Sequence, residues 1–598
     1  MDQSNSASPA VIKTDLLIVG AGPAGASLAC FLGSHGHHGI MISAAPGTAD
    51  TPRAHITNMA ALECLRDIGL EEECIAAATH GDTMCHTRWC HSLAGEEYAR
   101  CYSWGHHPNH KGNYETASPC SHADLPQTLL EPILTKRAVL DGWTLRFNTT
   151  FVRFIEQGPE VNISEIKDDI TGNIYHIQSR FVFGCDGARS QVVRELQLPL
   201  DKKPNQGLAL NILVRADLSQ LMKNRRGNLH WVLQPDKEHP PWGWAACVRM
   251  VKAWNEWMFI FLPAPGSDVP LEKMEASNEE YLRRVREMIG DNSIDAKILA
   301  VNKWWINEVV ASQYSKDNVF CLGDAVHRHP PFNGLGSNTC IQDAFNLAWK
   351  VSYVLKEQAK PSLLATYGAE RQPVGVQIIT RANQGLRDHT GWMDAIGMTE
   401  PDLDKRKAIL EEFERPDATG AKRRSDFQDG IANTNTEFHG LGVEMNQRYE
   451  STGVFSHDEL LFPYDADQST TNHVVCTYPG RRLPHVWLNT RAPTTPISTI
   501  DLAGHGAFCL LTGPQGQMWK EAAATVAAEL KVPINAHSIG WKQDYEDVYF
   551  DWLRLGQIEE GGCVLVRPDR FVAWRSKDVV ADPKDKLKHV MECVLSLS

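Results

Sequence analysis

Residues 20–25 read Gly-Ala-Gly-Pro-Ala-Gly, placed after a short apolar run, Asp15 to Val19, and before a helix-like stretch from Pro23 to Gly36. In such a turn the first glycine, Gly20, permits the tight bend, and the second, Gly22, lets backbone approach a pyrophosphate. The third, Gly25, lets helix and strand pack closely, with the phosphates at the helix N-terminus. A second strand-like run, Ile40 to Ser43, completes a β-α-β unit, the start of a doubly wound α/β sheet. The acidic residue expected about twenty positions on, to hold a ribose, is replaced by Ser43.

Two further glycine turns follow apolar runs. Val319 to Leu322 ends in Gly323-Asp324-Ala325-Val326-His327, then Pro330-Pro331 and Gly334-Leu335-Gly336-Ser337-Asn338, with a helix expected from about Asn338 to Leu355. A carboxylate at a strand end accepts hydrogen bonds from ribityl hydroxyls, and glycines opening a helix leave amide N–H groups for an electron-rich ring. Arg180 to Cys185 leads into Asp186-Gly187-Ala188-Arg189-Ser190, where Ser190 is placed to cap a helix.

Between these lies a different texture. Residues 205–300 are rich in tryptophan and alternate, as in Leu229 to Leu233 and Trp257 to Leu262, which predicts an antiparallel sheet. Trp231, Trp242, Trp244, Trp254 and Trp257 are candidates for an aromatic pocket, although tryptophans on alternating strands belong more often to a core. Asp402 to Arg424 is charged and helix-like, and Ser425 to Glu437 has a linker's polar composition. Ala507 to Leu511, Trp519 to Leu530 and Cys563 to Arg567 predict a compact β-α-β tail.

A formal net charge of -14 disfavours a nucleic-acid partner. No apolar run is long enough to span a bilayer, the stretch Met1 to Lys13 lacks a signal's apolar core, and the chain ends in Ser-Leu-Ser rather than a peroxisomal tripeptide. Fifteen scattered cysteines read as reduced thiols, so a cytoplasmic location is expected. Cys85, His86, Cys90 and His91, with Cys101, His106, His107 and His110 downstream, lack a defined second ligand pair, so no metal is expected there.

The three glycine motifs, in this order, resemble those of the flavoprotein aromatic hydroxylases of the p-hydroxybenzoate hydroxylase type. The closer resemblance is to the phenol hydroxylase and chlorophenol monooxygenase branch. It is carried by Pro52 to Asn58, Asp124 to Glu131, Val248-Arg249-Met250, Trp254 to Trp257, Leu483 to Trp487 and Val566 to Asp569 with Trp574-Arg575. The resemblance implies a Rossmann-like FAD-binding domain in three parts (1–84, 116–204 and 301–424). An antiparallel-sheet substrate domain in two parts (85–115 and 205–300), a linker at 425–440 and a thioredoxin-like domain at 441–598 complete it.

It also implies an FAD cofactor, NAD(P)H and oxygen as co-substrates, a phenolic small-molecule substrate, a flavin hydroperoxide as oxygenating species, and a homodimer. Carried over by residue, Gly20, Gly22 and Gly25 would hold the pyrophosphate. Arg53 and Gln127 would contact the sugar-phosphate chain, and Asp324 the ribityl. Pro331, Gly334, Gly336, Ser337 and Asn338 would run along the isoalloxazine. Asp186 and Arg189 would lie in the motif linked to both FAD and NAD(P)H. His55 stands where the family places a substrate-facing polar residue, and a histidine of ordinary pKa near ~6.5 is a competent base for a phenol. It could equally be no more than a hydrogen-bonded neighbour of the flavin.

Other readings use the same residues differently. Trp242-Gly-Trp244-Ala-Ala lacks the Ile-Pro of flavin halogenases, and no redox cysteine pair follows the first helix as in disulfide reductases. Baeyer–Villiger or dearomatising oxygenation of an aromatic polyketide is the alternative on this scaffold, and a non-catalytic flavin-binding regulator the alternative of another class.

Overall fold

The computed structural model describes residues 10–203, 207–263, 275–462 and 470–597. The polar N-terminal stretch read above lies outside these up to residue 9, as does the terminal Ser598.

The first unit is built on a largely parallel sheet ordered Ser315–Lys316, Val319–Cys321, Ile174–Gly184, Val11–Val19, Ile40–Ile42 and Thr144–Arg146. Val19 pairs with both Gly184 and Ile42, and Gly184 with Cys321, so these strands finish level with one another. All three glycine turns therefore open at one edge, where doubly wound sheets bind their ligands. Helices Pro23–Ser34 and Gly336–Leu355 pack together over the sheet. The strands extend the sequence reading mainly at the N-terminal side, Val11–Val19 and Ile174–Gly184 being longer than expected.

The second unit is a seven-stranded sheet ordered Ala296–Trp305, Leu208–Ala216, Glu256–Leu262, Ala245–Lys252, Leu229–Val232, His86–Cys90 and Glu97–Tyr102. Its pairings are antiparallel except where Leu229–Val232 meets His86–Cys90. One face buries Trp242 and Trp257 against the helix Asn278–Ile289. The other face, with Trp89, Trp231, Trp244 and Met258, packs against Trp392, Ile396 and Phe438 and reaches Ile56 and Phe332 of the first unit.

The segment read as a linker at 425–440 is helical. Asp417 caps the helix Ala418–Asn433, and a one-turn helix, Asn435–Phe438, follows. Phe427, Gly430, Ile431 and Thr434 recur at helical spacing on an otherwise polar surface, and a Cβ at Gly430 would stand 2.4 Å from the Trp392 nitrogen. The average composition hid that narrow stripe.

The tail has a four-stranded sheet ordered Ile534–Ser538, Phe508–Thr512, Cys563–Val566 and Val572–Ser576, its first pair parallel and the rest antiparallel. Helices Gln517–Leu530 and Pro583–Val594 pack together beside it. Its arginines dock on acids of the first unit: Arg482 on Glu63, Arg570 on Asp67 at 2.9 Å and Arg567 on Glu370 at 2.6 Å.

Candidate active site

Two helix N-termini face the edge where the turns open. The Pro23–Ser34 helix begins at Gly22, and the Gly336–Leu355 helix at Leu335, neither with a side-chain cap. Among the described residues the amide groups of Ala24, Gly25, Gly336, Ser337 and Asn338 make no hydrogen bond, which leaves a concentration of N–H groups and helix dipole for an anionic or electron-rich ligand. Gly20 has φ +109, and a Cβ there would lie 2.1 Å from the Cys185 carbonyl oxygen, so only glycine fits between two strand ends this close. A Cβ on Gly323 would stand 3.1 Å from that of Ala24, which places the Gly323-Asp324 turn against the first helix.

Asp324 is exposed beside this cradle and Pro331 is exposed at its far end. Gly334 (φ +61) presses so closely on Ile56 that a Cβ would come within 3.0 Å. Asn338 ties these parts together. Its side chain accepts from the Asn58 amide at 3.0 Å and donates to the carbonyls of Ile56, at 2.9 Å, and Gly334. Its carboxamide is therefore committed to holding the turn, while its backbone N–H is open to the cradle.

Arg53 is exposed, and Gln127 donates to Glu131 at 2.5 Å. Glu131 also accepts from the Ala49 amide and lies 3.8 Å from where a Gly22 Cβ would sit; burial pushes its carboxyl above the usual range. Glu131 thus places a carboxylate beside the Gly22 turn from the helix Gln127–Leu140, which spacing from the glycine motif could not reveal. Asp186 accepts from Ser190 at 2.5 Å and from the amides of Gln191 and Val192, so its carboxylate caps the helix Gln191–Leu196; Ser190 caps it too, through Val193. Arg189 is exposed close by.

Behind the Gly323-Asp324 turn lies a buried polar chain. Asp343 accepts from the Gly323 amide at 3.2 Å, pairs with His327 at 2.8 Å and with Arg371 at 2.7 Å. Burial pushes the Asp343 carboxyl up, but Arg371 and His327 outweigh it and hold it below the usual carboxylate range. Arg371 also donates to Gln447 and Tyr449, and neighbouring Glu370 is gripped by Lys350 and Arg567. The tail is thus wired to the turn that presents Asp324.

Next to Ile56, which packs on the Gly334 turn, His55 is buried and its Nδ1 meets Asp124 Oδ1 at 2.8 Å. Asp124 accepts from Asn228 at 2.9 Å, and Asn228 accepts from the Trp104 indole at 3.3 Å. Arg249, also buried, donates to the carbonyls of Pro52 and Arg53, leaves its Nε without a partner and makes no ion pair among the described residues. Burial and the Arg249 charge lower the His55 pKa more than Asp124 raises it, so the imidazole is neutral near pH 7. Such a base is in the charge state needed to accept a proton.

Of the five tryptophans singled out, Trp231 and Trp244 face the cleft side of the sheet, whereas Trp242 and Trp257, with Trp254 packed on them, lie under the opposite face. Cys90 is in that opposite core, and His91 pairs with Asp236 at 2.7 Å. Asn228 and Asp343 stand in no sequence motif, and Asp124 and Glu131, the two ends of a stretch that carries the resemblance, had been given no role of their own.

The residues around the cradle fit FAD: turns in which Gly20, Gly25, Gly323 and Gly334 leave no room for a Cβ, unpaired amides at two helix starts, and an exposed carboxylate between them. Comparison with known proteins agrees. Residues 13–382 match the FAD binding domain family, and residues 476–596 match the C-terminal domain of aromatic-ring hydroxylases. The chain is 40% identical over 588 residues to a 2,4-dichlorophenol 6-monooxygenase of Cupriavidus pinatubonensis (strain JMP 134 / LMG 1197), covering 98% of this chain and 96% of that protein. It is 38% identical over 592 residues to a phenol 2-monooxygenase of Pseudomonas sp. (strain EST1001), covering 97% and 93%. A crystal structure of the flavin-dependent monooxygenase PieE, in complex with FAD and substrate, superposes with TM-score 0.91 at 36% identity, over 98% of this chain and all of that one. The chain belongs to the FAD-dependent aromatic-ring hydroxylases.

Proposed function

We propose that the protein hydroxylates a phenol, consuming one NAD(P)H, one proton and one oxygen molecule and yielding a ring with one added hydroxyl, NAD(P)+ and water. The observation that carries this reading is the buried His55–Asp124 pair, beside the unpaired Arg249 Nε–H and next to Ile56, which packs on the flavin-side turn at Gly334.

Bound FAD supplies the reductive activation of oxygen; the protein's residues position and exclude water. Neutral His55 accepts the phenolic proton through Nε2, its Nδ1–H remaining on Asp124, and Asp124 stabilises the imidazolium formed. The Arg249 guanidinium, lacking a carboxylate partner, favours the phenolate and so raises the electron density of the ring carbon to be oxygenated. Gly336, Ser337 and Asn338 offer amide N–H groups to the electron-rich end of the cofactor.

We assign the tail a thioredoxin-like topology with a supporting rather than a redox role, because its thiols are isolated in sequence and Cys476, Cys509 and Cys563 are buried. Among the described residues no disulfide joins any of the fifteen cysteines, which suits a reducing, cytosolic setting, and the assembly proposed is a homodimer. Among the described residues no helix is long and apolar enough to cross a membrane.

The test is a panel of phenols assayed together for NAD(P)H oxidation, product mass and peroxide yield. Phenol-stimulated oxidation with a hydroxylated product supports the proposal. Turnover confined to a polycyclic ketone, with ring expansion, would point to the polyketide alternative, and flavin binding without turnover to a regulator.

A further inference from the structure

The backbone N–H groups of Gly336, Ser337 and Asn338, at the start of the Gly336–Leu355 helix, are fixed donors. They polarise the electron-rich end of the cofactor, but their charge cannot follow when it gains electrons. A side chain beside them can. The Nε2 and Cε1 atoms of His329 lie 3.7 Å from where a Cβ on Gly336 would stand, so this edge of the imidazole covers the first residue of the helix. His329 immediately precedes Pro330-Pro331 and is only partly buried.

Its tautomer follows from its partner. Nδ1 stands 2.7 Å from the Pro330 carbonyl oxygen, which can only accept, so Nδ1 carries the hydrogen. Nε2 has no hydrogen-bond partner in the protein and is not among the polar atoms sealed inside it. In the neutral ring Nε2 is a lone pair; protonated, it becomes one more donor beside the three amides.

The surroundings decide between the two forms. Burial, with His327 acting the same way, lowers the His329 pKa more than the Pro330 hydrogen bond and Asp324 raise it, and the positive end of the helix dipole also opposes an imidazolium. The other charges packed around it are engaged elsewhere. Arg328 donates to the carbonyls of Asp324 and Ala325, Arg371 pairs with Asp343, Arg381 with Asp388, and Glu437 with His389. An opposite charge arriving close by raises the pKa of such a group by roughly 1–3, enough to carry a histidine from below neutrality to above it.

We propose that His329 carries the proton that balances the charge of reduced FAD: neutral beside the oxidised cofactor, it takes a proton from solvent at Nε2 when a hydride reduces FAD, and returns it on reoxidation. The hydride delivers two electrons and one proton to the cofactor, and the further proton resides on the protein. Reduction by NAD(P)H therefore becomes more favourable as pH falls. The proposal rests on the FAD site and on the placing of Gly336 to Asn338 at its electron-rich end, and it gives a role to a residue outside the site read from the motifs.

The test is the midpoint potential of bound FAD, measured on the holoenzyme by equilibration with redox dyes from about pH 5.5 to 8.5, an interval that brackets an ordinary histidine. No phenol is needed. Over part of that interval the wild-type potential should fall with two protons per electron pair. His329→Gln should lose one of them, making the slope shallower by about 30 mV per pH unit, the equivalent of a tenfold change for a two-electron couple. His329→Arg, whose charge is permanent, should share the shallow slope at potentials above those of His329→Gln. The absorbance of reduced FAD should be that of the anion in all three. Equal slopes in wild type and His329→Gln overturn the proposal, as does a neutral reduced flavin in the wild type, since the proton would then sit on the cofactor. If neither variant holds FAD, the wild type decides: two protons with an anionic reduced flavin place the further proton on the protein, and one proton throughout overturns the proposal. Phenol-stimulated turnover, which tests the hydroxylase reading, is measured separately and stands whichever slope is found.

Discussion

His55 Nδ1 stands 2.8 Å from Asp124 Oδ1, both side chains buried, and the pair joins a loop following the first β-α-β unit to a short strand almost seventy residues later. Asp124 fixes the tautomer, and the lowered pKa keeps the ring neutral. His55→Ala should therefore still bind FAD and oxidise NAD(P)H, yet form product ~10²–10⁴-fold more slowly and release more peroxide per product. Raising the pH should rescue it in part, because solvent then ionises the phenol. Coupling and a pH profile identical to wild type would reduce His55 to a neighbour of the flavin.

Asp324 is exposed beside the cradle, and among the described residues its carboxylate has no hydrogen-bond or ion-pair partner. Asp324→Ala should weaken FAD binding by about 10- to 100-fold, the worth of hydrogen bonds to a charged acceptor, with little change in apoprotein melting temperature. Flavin titration against the apoprotein reads the difference. Full retention of FAD would remove Asp324 from the site.

Arg567 is fully buried, donating to Glu370 at 2.6 and 2.8 Å and to Asp569 at 2.9 Å. Burial pushes the Glu370 carboxyl up, but Arg567 and Lys350 outweigh it and hold it well below the carboxylate range. Burial pulls Lys350 down to about 8. Arg567→Met leaves two buried carboxylates sharing one lysine, and should cost roughly 3–5 kcal/mol of stability in chemical denaturation. A loss under 1 kcal/mol would show that the tail is not locked to the first unit through this network.

Cys509 and Cys563 are pushed above the usual thiol range by burial, so neither is a ready nucleophile. Replacing Cys476, Cys509, Cys563 and Cys593 together by alanine should leave turnover per folded protein within about twofold of wild type, as surface or core changes remote from the chemistry do. Loss of turnover with folding intact would mean a redox role for the tail.

Several histidines are buried in the neutral state. Burial, with Arg88 beside it, lowers His230 to about 3, and burial with Arg482 and Arg481 lowers His473 to about 3; burial lowers His35 and His485 to about 4. Their pKa values are lower folded than unfolded, so below pH ~6.5 the unfolded chain binds more protons and stability falls as pH falls toward 4, by roughly 1.4 kcal/mol per histidine per pH unit. The melting temperature should hold between pH 7 and 8 and drop steeply from pH 6.5 to 5. A flat profile across that interval would contradict these assignments.

The glycine turns were legible because each follows a strand and holds a glycine that either has no room for a Cβ, as Gly20 and Gly323, or takes a positive φ, as Gly187, and strand ends of matching register brought all three to one edge. The second half of the helix Ala418–Asn433, from residue 425 on, was not, since its apolar stripe is only a few residues wide amid charges. Asp343 was invisible for another reason: it is a helix residue in no motif, and its importance lies in a contact with Gly323 twenty positions earlier.

The most direct test of the central claim is product analysis under 18O2 with purified holoenzyme, NAD(P)H and a phenolic substrate. One labelled oxygen atom per product, with NAD(P)H consumed in proportion and peroxide a minor fraction, is the predicted result. NAD(P)H oxidation that yields only peroxide with every phenol, or a hydroxylated product whose new oxygen comes from water, would contradict it.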